Sequence, residues 1–451
     1  MIADLQATNA APNFAVNSKW TVVRLFEVAV IRSVRNRPEL PLLSVFLNRG
    51  VIPYGDGGGQ VHKPGLDRSI YQVVRRGDLV LNNQQAWRGS VGVSKYDGII
   101  SPAYIVMALR SKVLDERYAD HLFPSPDMVA QYVTSSKGVG DIQRDIHTPW
   151  LRNVRVPLPS LPEQQTIARF LDWANGRLER AIRAKRKVIA LLNEQKQVII
   201  HRAVTRGLDP SVPLKPSGIP WLGDVPAHWC LTPNRALLRI RKVLVGRCHS
   251  EHQLLSLTKN GVVVRDLATG GKFSNFWERS QEVRPGDLVF CLFDVEETPR
   301  TVGLSKHFGM ISGDYTVMEC AEPRTAAFID CFYRAMDDRK LLSPLYSGLR
   351  KRIPKPEFLA ISTPLPPIDE QVAIVRAIEE MTSDIERTSA KLRLEVGFLV
   401  EYRTRLVADV VTGKLDVREA AMLLPSDAII GAEETAEASG EFEAPEQEVA
   451  E

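Results

Sequence analysis

The sequence predicts an α+β protein: two mixed α/β domains separated by two long antiparallel coiled-coil helices, arranged as a pseudo-two-fold internal repeat. Three observations carry that expectation. Five sequence blocks recur in one order about 208 residues apart, a spacing that suits two domain-sized units rather than a solenoid. Each copy opens with short β-branched runs broken by Gly, Pro and Asn, and closes in a stretch whose apolar residues keep a seven-residue period.

The first block is LLSVFLNRGV from Leu42, answered by LLSLTKNGVV from Leu254. RRGDLV (Arg75 to Val80) is answered by RPGDLV (Arg284 to Val289), at an offset of 209. VGVSK from Val91 and IISPAYIVM from Ile99 return as VGLSK from Val302 and MISGDYTVM from Met310, both at 211, so a two-residue insertion falls in the loop between the GDLV block and these two. PLPSLPEQQTIARFLD (Pro157 to Asp172) returns as PLPPIDEQVAIVRAIE (Pro364 to Glu379) at 207, a register that holds to Leu208 and Leu415. The runs TVVRLF, GDLVLN and YIVMAL, like VVVRDL, GDLVFCLF and YTVMEC, read as strands of a substantial sheet.

After each proline-rich stop comes a helix start, with Pro162-Glu163 or Asp369-Glu370 suited to a first helical turn. The first helix should run to about Arg206 and the second to about Thr412. On the first, Ile167, Leu171, Ala174, Leu178, Ala181, Lys185, Val188, Leu192, Gln195 and Ile199 fall on a heptad seam. On the second the seam is Ile374, Ile378, Met381, Ile385, Thr388, Leu392, Glu395, Leu399, Tyr402 and Leu406. A period sustained over five heptads is that of a coiled coil. Gly176 and Gly397 weaken the helices, and the first is expected to fray near its start. If the helices run antiparallel with opposed midpoints, Lys185 and Glu395 share a layer and pair, fixing register. The expected boundaries are 1–158 and 210–366 for the domains, 159–209 and 367–416 for the helices, and 417–451 for a disordered acidic tail.

Composition narrows the function classes. With 451 residues, 44% hydrophobic and 25% charged, the chain affords more than one globular core. No window approaches eighteen apolar residues and the N-terminus lacks an export pattern, so no membrane contact and a cytoplasmic location are expected. Five irregularly spaced cysteines read as reduced thiols. GDGGGQ (Gly55 to Gln60) lacks the remaining residues of a dinucleotide or phosphate loop and reads as a surface loop. There is no Asn-Pro-Pro or Asp-Pro-Pro tetrapeptide of amino-methyltransferases and no nuclease signature. Cys248, His249 and His252 cluster, yet the first copy has no equivalent of the second copy's cysteines, so neither metal nor cofactor is expected. From Glu419 onward there are ten acidic residues and no Lys or Arg, so residues 1 to 418 carry +14 against the whole chain's +4. A basic body of that kind accommodates a polyanion.

Where the copies diverge most, their ligands should differ. In the first copy those loops hold Asn82, Asn83, Gln84, Gln85, Trp87 and Arg88, then Lys137, Gln143 and Arg144. In the second they hold Arg300, then Arg350, Lys351, Arg352 and Lys355, with Lys259, Asn260 and Arg265 nearer its start. Asn, Gln and Arg make bidentate contacts to adenine and guanine edges in the major groove, while Lys and Arg neutralise phosphates, which points to double-stranded DNA.

The doubled Pro-Leu-Pro-x-x-x-Glu-Gln helix start, the GDLV strands and the GIPWLGDVPAHW segment (Gly218 to Trp229) resemble the specificity (S) subunits of type I restriction-modification systems, over about 17 to 417. The resemblance implies two target-recognition domains that each read half of a split DNA sequence, helices that set the unread spacer, and no catalysis by the subunit itself. It also implies docking of two modification (M) subunits and, through them, restriction (R) subunits. Asp369 departs from the residue type expected before Glu370, and residues 418–451 extend past the pattern. A stand-alone DNA-modifying enzyme and a coiled-coil scaffold joining protein-binding modules are the alternatives.

Overall fold

Both copies fold around an antiparallel four-stranded sheet with one strand order. In the first, Ala29–Ile31, Tyr104–Leu109, Asp78–Asn82 and Val91–Val93 lie side by side; in the second, Leu238–Ile240, Thr316–Cys320, Leu288–Phe290 and Val302–Leu304 do. The computed structural model describes residues 16–47, 49–57, 64–65, 67–138, 144–265, 279–295, 298, 300–348 and 351–425 of the chain. Packing divides them into two compact units, 16–185 with 394–425, and 186–393.

The GDLV blocks are fasteners for these sheets. Asp78 is nearly buried and accepts hydrogen bonds from the guanidinium of Arg32 and from the backbone N–H of Arg75 (2.7 Å). Asp287 does the same with Arg241 and the N–H of Arg284 (2.6 Å). The glycine before each aspartate is left-handed, φ 84° at Gly77 and 94° at Gly286, a region that side chains strain to enter. The opposite charge offsets the cost of burying each carboxylate, while Arg32 Nε and Arg241 Nε are left without a hydrogen-bond partner among the described residues.

The entry and exit strands of each copy pair antiparallel, Thr21–Arg24 with Arg155–Leu158 and Cys230–Pro233 with Ser362–Leu365. A long helix leaves directly after each pair: the first is Leu161–Arg206 and the second Ile368–Val411. The Glu-Gln of each helix start is the joint. Trp20 Nε1 donates to Glu163 Oε1 (3.1 Å) and Trp229 Nε1 to Glu370 Oε1 (3.0 Å). Gln164 accepts from the N–H of Asp115 (2.8 Å) and donates to the carbonyls of Val113 and Pro159 (2.9 Å each), while Gln371 donates to Pro366 O (2.8 Å). The same tryptophans meet the end of the other helix. Gly413 (φ 72°) lies so close to Trp20 that an added Cβ would stand 2.9 Å from the ring, and Gly207 (φ 73°) sits beside Trp229.

In the first unit one core joins Leu79, Leu81, Met107, Tyr118 and Tyr132 of the domain to Ile167, Ala168 and Leu171 of the first helix and Leu406 and Val410 of the second. The second unit repeats this with Phe290, Met318, Phe328, Tyr333 and Trp229 against Val204, Ile374 and Ile378. This packing explains why the first helix is continuous through Gly176 instead of fraying: burial of Ile167, Leu171 and Ala174 outweighs the ~1 kcal/mol glycine cost.

Within each unit the helix segments run antiparallel. In the first, Lys185 Nζ stands 2.6 Å from Glu395 Oε2, and Arg403 Nη1 2.7 Å from Glu179 Oε2; in the second, Lys196 pairs with Glu386. Among the seam residues, Ile167, Leu171, Ile378, Ile385 and Leu406 are buried, and Leu178, Leu192, Ile199, Leu392 and Leu399 half-buried. The strict heptad slips elsewhere. Val188, Gln195, Met381, Thr388 and Tyr402 face solvent, and Ile189, Lys196, Thr382, Ser389 and Arg403 stand further in. A helix of 3.6 residues per turn drifts about 20° per heptad from a 3.5 repeat, so the inward position moves on by one residue.

The segment expected to open a disordered tail at 417 instead packs: Val417 and Ala421 are buried, and Arg418–Met422 is helical. Val417 joins the first core, which the acidic composition of the tail concealed. Residues 426–451 lie outside the described residues, as do Gly58 to Gln60 of the glycine-rich loop.

Candidate nucleic-acid interface

In the first copy the loop leaving the Asp78–Asn82 strand is built by its own side chains. Asn82 Oδ1 accepts from the N–H of Gln84 (3.0 Å), an Asx turn, and Trp87 Nε1 donates to Gln84 O (2.8 Å). Ala86–Arg88 then makes a single 3-10 turn, closed by Gly89 at φ 98°. A second loop is sewn to the first. Ser136–Lys137 pairs with Asp145–Ile146, the N–H of Ile146 donates to Asn83 O (3.1 Å), and Asn83 Nδ2 donates to Asp145 Oδ1 (3.3 Å).

The result is a set of cations stacked on indole. The guanidinium of Arg88 lies 4.5 Å and that of Arg144 5.3 Å from the Trp87 ring centroid, and Lys137 Nζ is 5.1 Å from that of Trp150. Such stacking is worth about 0.5–1 kcal/mol at an exposed site, and it holds a guanidinium fork in one plane. Gln84 is exposed and Gln85 half-buried, and neither side-chain amide is hydrogen-bonded among the described residues. Gln143 lies outside them. Asn82 and Asn83 therefore shape the loop, whereas Gln84, Gln85, Arg88, Lys137 and Arg144 are its outward polar groups. Trp150 was missed by sequence reasoning; a tryptophan beside a basic loop is the signal that marks it.

The second copy sews equivalent loops together. The loop after Leu288–Phe290 meets the 347–353 segment through Val295 N–H to Lys351 O (3.3 Å) and Ile353 N–H to Leu292 O (3.0 Å). Ser347 and Arg352 bridge antiparallel, with Lys351 left-handed at φ 43°. Lys351, Arg352 and Lys355 are exposed; Arg350 lies outside the described residues. Lys259 and Asn260 form the exposed tip of the Leu255–Thr258 and Gly261–Val264 hairpin, and Arg265 at its foot is half-buried.

Arg300 has a different occupation from the one its residue type suggested. Its side chain is 13% exposed, pairs with Asp338 and donates to Lys259 O (3.3 Å). It braces the loop against the hairpin.

Two ion-paired carboxylates elsewhere in the units have lowered pKa values. Burial pushes the Asp172 carboxyl up, but His121 (2.7 Å) and Arg117 (2.8 Å) more than offset this and hold it below the usual range. Glu282 is likewise lowered, against burial, by Arg284 and Arg241. Among the described residues no group of three or more His, Cys, Asp or Glu side chains converges as a metal site, and no helix is long and apolar enough to cross a membrane.

Each of the two like sheets thus carries one sewn loop pair with outward cations, joined in the first copy by the amides of Gln84 and Gln85. No family model matches the chain. It is similar to specificity subunits of type I restriction enzymes. The MjaVIII specificity subunit of Methanocaldococcus jannaschii is 23% identical over 372 residues, covering 77% of this chain and 81% of that protein. The putative MjaX specificity subunit of the same organism is 23% identical over 282 residues, 61% of this chain and 63% of that one. A solved chain, reported with the complex assembly and conformational transition of the type I R-M system, aligns with a TM-score of 0.59 at 16% identity, over 89% of this chain and 100% of its own. At that identity the likeness establishes the fold.

Proposed function

We propose that this chain is the DNA sequence-recognition subunit of a type I restriction-modification complex. Its recognition domains, 1–158 and 210–366, each read a few base pairs of a bipartite duplex target, and the paired helices set the unread gap. The observation that carries this reading is the recurrence of one sheet with one sewn loop pair, on which the loop residues differ between copies. Gln84, Gln85, Arg88 and Arg144 in the first domain, and Arg352 and Lys355 in the second, are the groups for base edges and phosphates. Specificity is then the product of two short readings and a distance.

Catalysis belongs to partners. Two modification subunits dock on the helices and restriction subunits bind through them. Leu394, Phe398 and Tyr402, at 65%, 67% and 56% exposure, follow each other at four-residue steps along the second helix, an apolar strip suited to a partner helix.

The test is a segment exchange. Residues 20–156 are replaced by the matching segment of another specificity subunit, and the methylated sites made by the reconstituted complex are mapped. One half-site should change while the other half-site and the gap stay; loss of both half-sites, or change in neither, would contradict the proposal.

A further inference from the structure

The second unit contains a pocket of about 340 Å³ at the end of the first long helix. His201, Arg202 and Arg206 line one wall from the last two helical turns, Arg339 lines another just past the Ala326–Asp338 helix, and Asp209 stands on the returning chain. None of the three guanidiniums has an ion pair or side-chain hydrogen bond among the described residues. Asp209 is the one acidic lining residue, and its carboxylate is engaged by the N–H (2.8 Å) and hydroxyl (2.7 Å) of Ser211. Three arginines against one aspartate leave the lining at +2 with His201 neutral.

The helix end alone does not explain this charge. Cations near a helix C-terminus are favoured by its dipole, which accounts for Arg206 and in part Arg202. Arg339 comes from another element, and the dipole gives no reason for it. The internal repeat supplies a control. At the offset of 207, His201, Arg202 and Arg206 become Ala408, Asp409 and Gly413, and the hollow at the end of the second helix is about 10 Å³. There Arg418 is already paired with Asp416. The fold therefore closes a long helix without these cations, which are particular to the end of the first helix and the Arg339 beside it.

We propose that this pocket binds a phosphoryl group. Guanidinium forks match phosphate oxygens two at a time, a dianion balances the lining, and the volume lies at the lower end of small-ligand sites, 300–1,000 Å³ by rough survey. The group comes from a soluble phosphate ester or from a DNA backbone phosphate that enters the pocket; the arginine chemistry is the same for both. Partial burial, then Arg339 and Arg206, hold the His201 imidazole below its ordinary value, so a bound anion must raise it. The inference does not depend on which bases the loops read.

The experiment follows the ring proton of His201 in the full chain by NMR, assigned with His201→Gln, against pyrophosphate, AMP and a short duplex in turn. A bound phosphoryl group raises the His201 pKa, and with pyrophosphate or AMP the other seven histidines hold theirs. The Arg202→Gln/Arg339→Gln double variant should weaken that response at least tenfold, and Arg180→Gln, outside the pocket, should not. A response to pyrophosphate or AMP identifies a soluble ester, and a response to duplex alone identifies the backbone. No response to any of the three, or an unchanged response in the double variant, overturns the proposal.

Discussion

Arg300 and Gln84 illustrate why residue type is an incomplete guide to role. Both sit on a loop that follows the equivalent strand of its sheet, but Arg300 is turned in onto Asp338 while Gln84 is exposed and its amide is not hydrogen-bonded among the described residues. Arg300→Ala should therefore cost about 2 kcal/mol of stability in the second unit, since it leaves a largely buried carboxylate without its charged donor. The Gln84→Ala/Gln85→Ala variant should instead keep its unfolding midpoint and relax the preference at one half-site, by about 1–3 kcal/mol for each bidentate pairing with a base that the amides make. Denaturation curves and methylation-site mapping on both variants check the pair; the reverse assignment would be wrong for this geometry. Asp172 gives a pH signature. Its folded pKa is depressed, so the unfolded chain binds the proton more readily, and the stability it contributes is present above about pH 4 and lost as pH falls through the folded value. The stability gap between the wild type and Asp172→Asn, from urea titrations at several pH values, should shrink from pH 5 to pH 3. The sequence exposed which loops carry polar residues, because composition is local. It hid which of them turn inward, because Asp338 and Asp145 meet Arg300 and Asn83 only after the chain has folded.

At the scale of elements, the sequence was most legible where periodicity is long. Helices expected to run to about Arg206 and Thr412 end at Arg206 and Val411, because capping, proline and heptad signals agree there. The seam was only partly legible: Val188, Met381 and Tyr402 satisfy a strict heptad, yet the drift of a 3.6-residue turn against a 3.5 repeat carries them outward. Lys185 and Glu395 interrupt the seam at one layer and meet at 2.6 Å, both about one-third exposed. A double-mutant cycle with Lys185→Leu, Glu395→Leu and the double variant should show a coupling of about 0.2–1 kcal/mol, the range of solvated pairs. Strict additivity would mean that the pair does not fix register. The Glu-Gln helix starts were legible as a motif and illegible as a joint. Their partners Trp20, Trp229 and Asp115 are distant in sequence.

For the whole molecule, the duplication is the decisive feature and was fully visible in the sequence, since five blocks in one order can be compared without knowing where any of them lies in space. What it leaves unread is the bases each head prefers, because no single loop residue encodes a base without its geometry. The central claim is that two short readings are held apart by paired helices. It is tested most directly by inserting one heptad into each helix, after Arg186 and after Arg393, which keeps the phase of the seam. Seven residues add about 10.5 Å, or roughly three base pairs at 3.4 Å each. Methylation sites mapped for the complex with this variant should keep both half-sites and show a gap about three base pairs longer. An unchanged gap, or an uninterrupted target in either protein, would contradict the account.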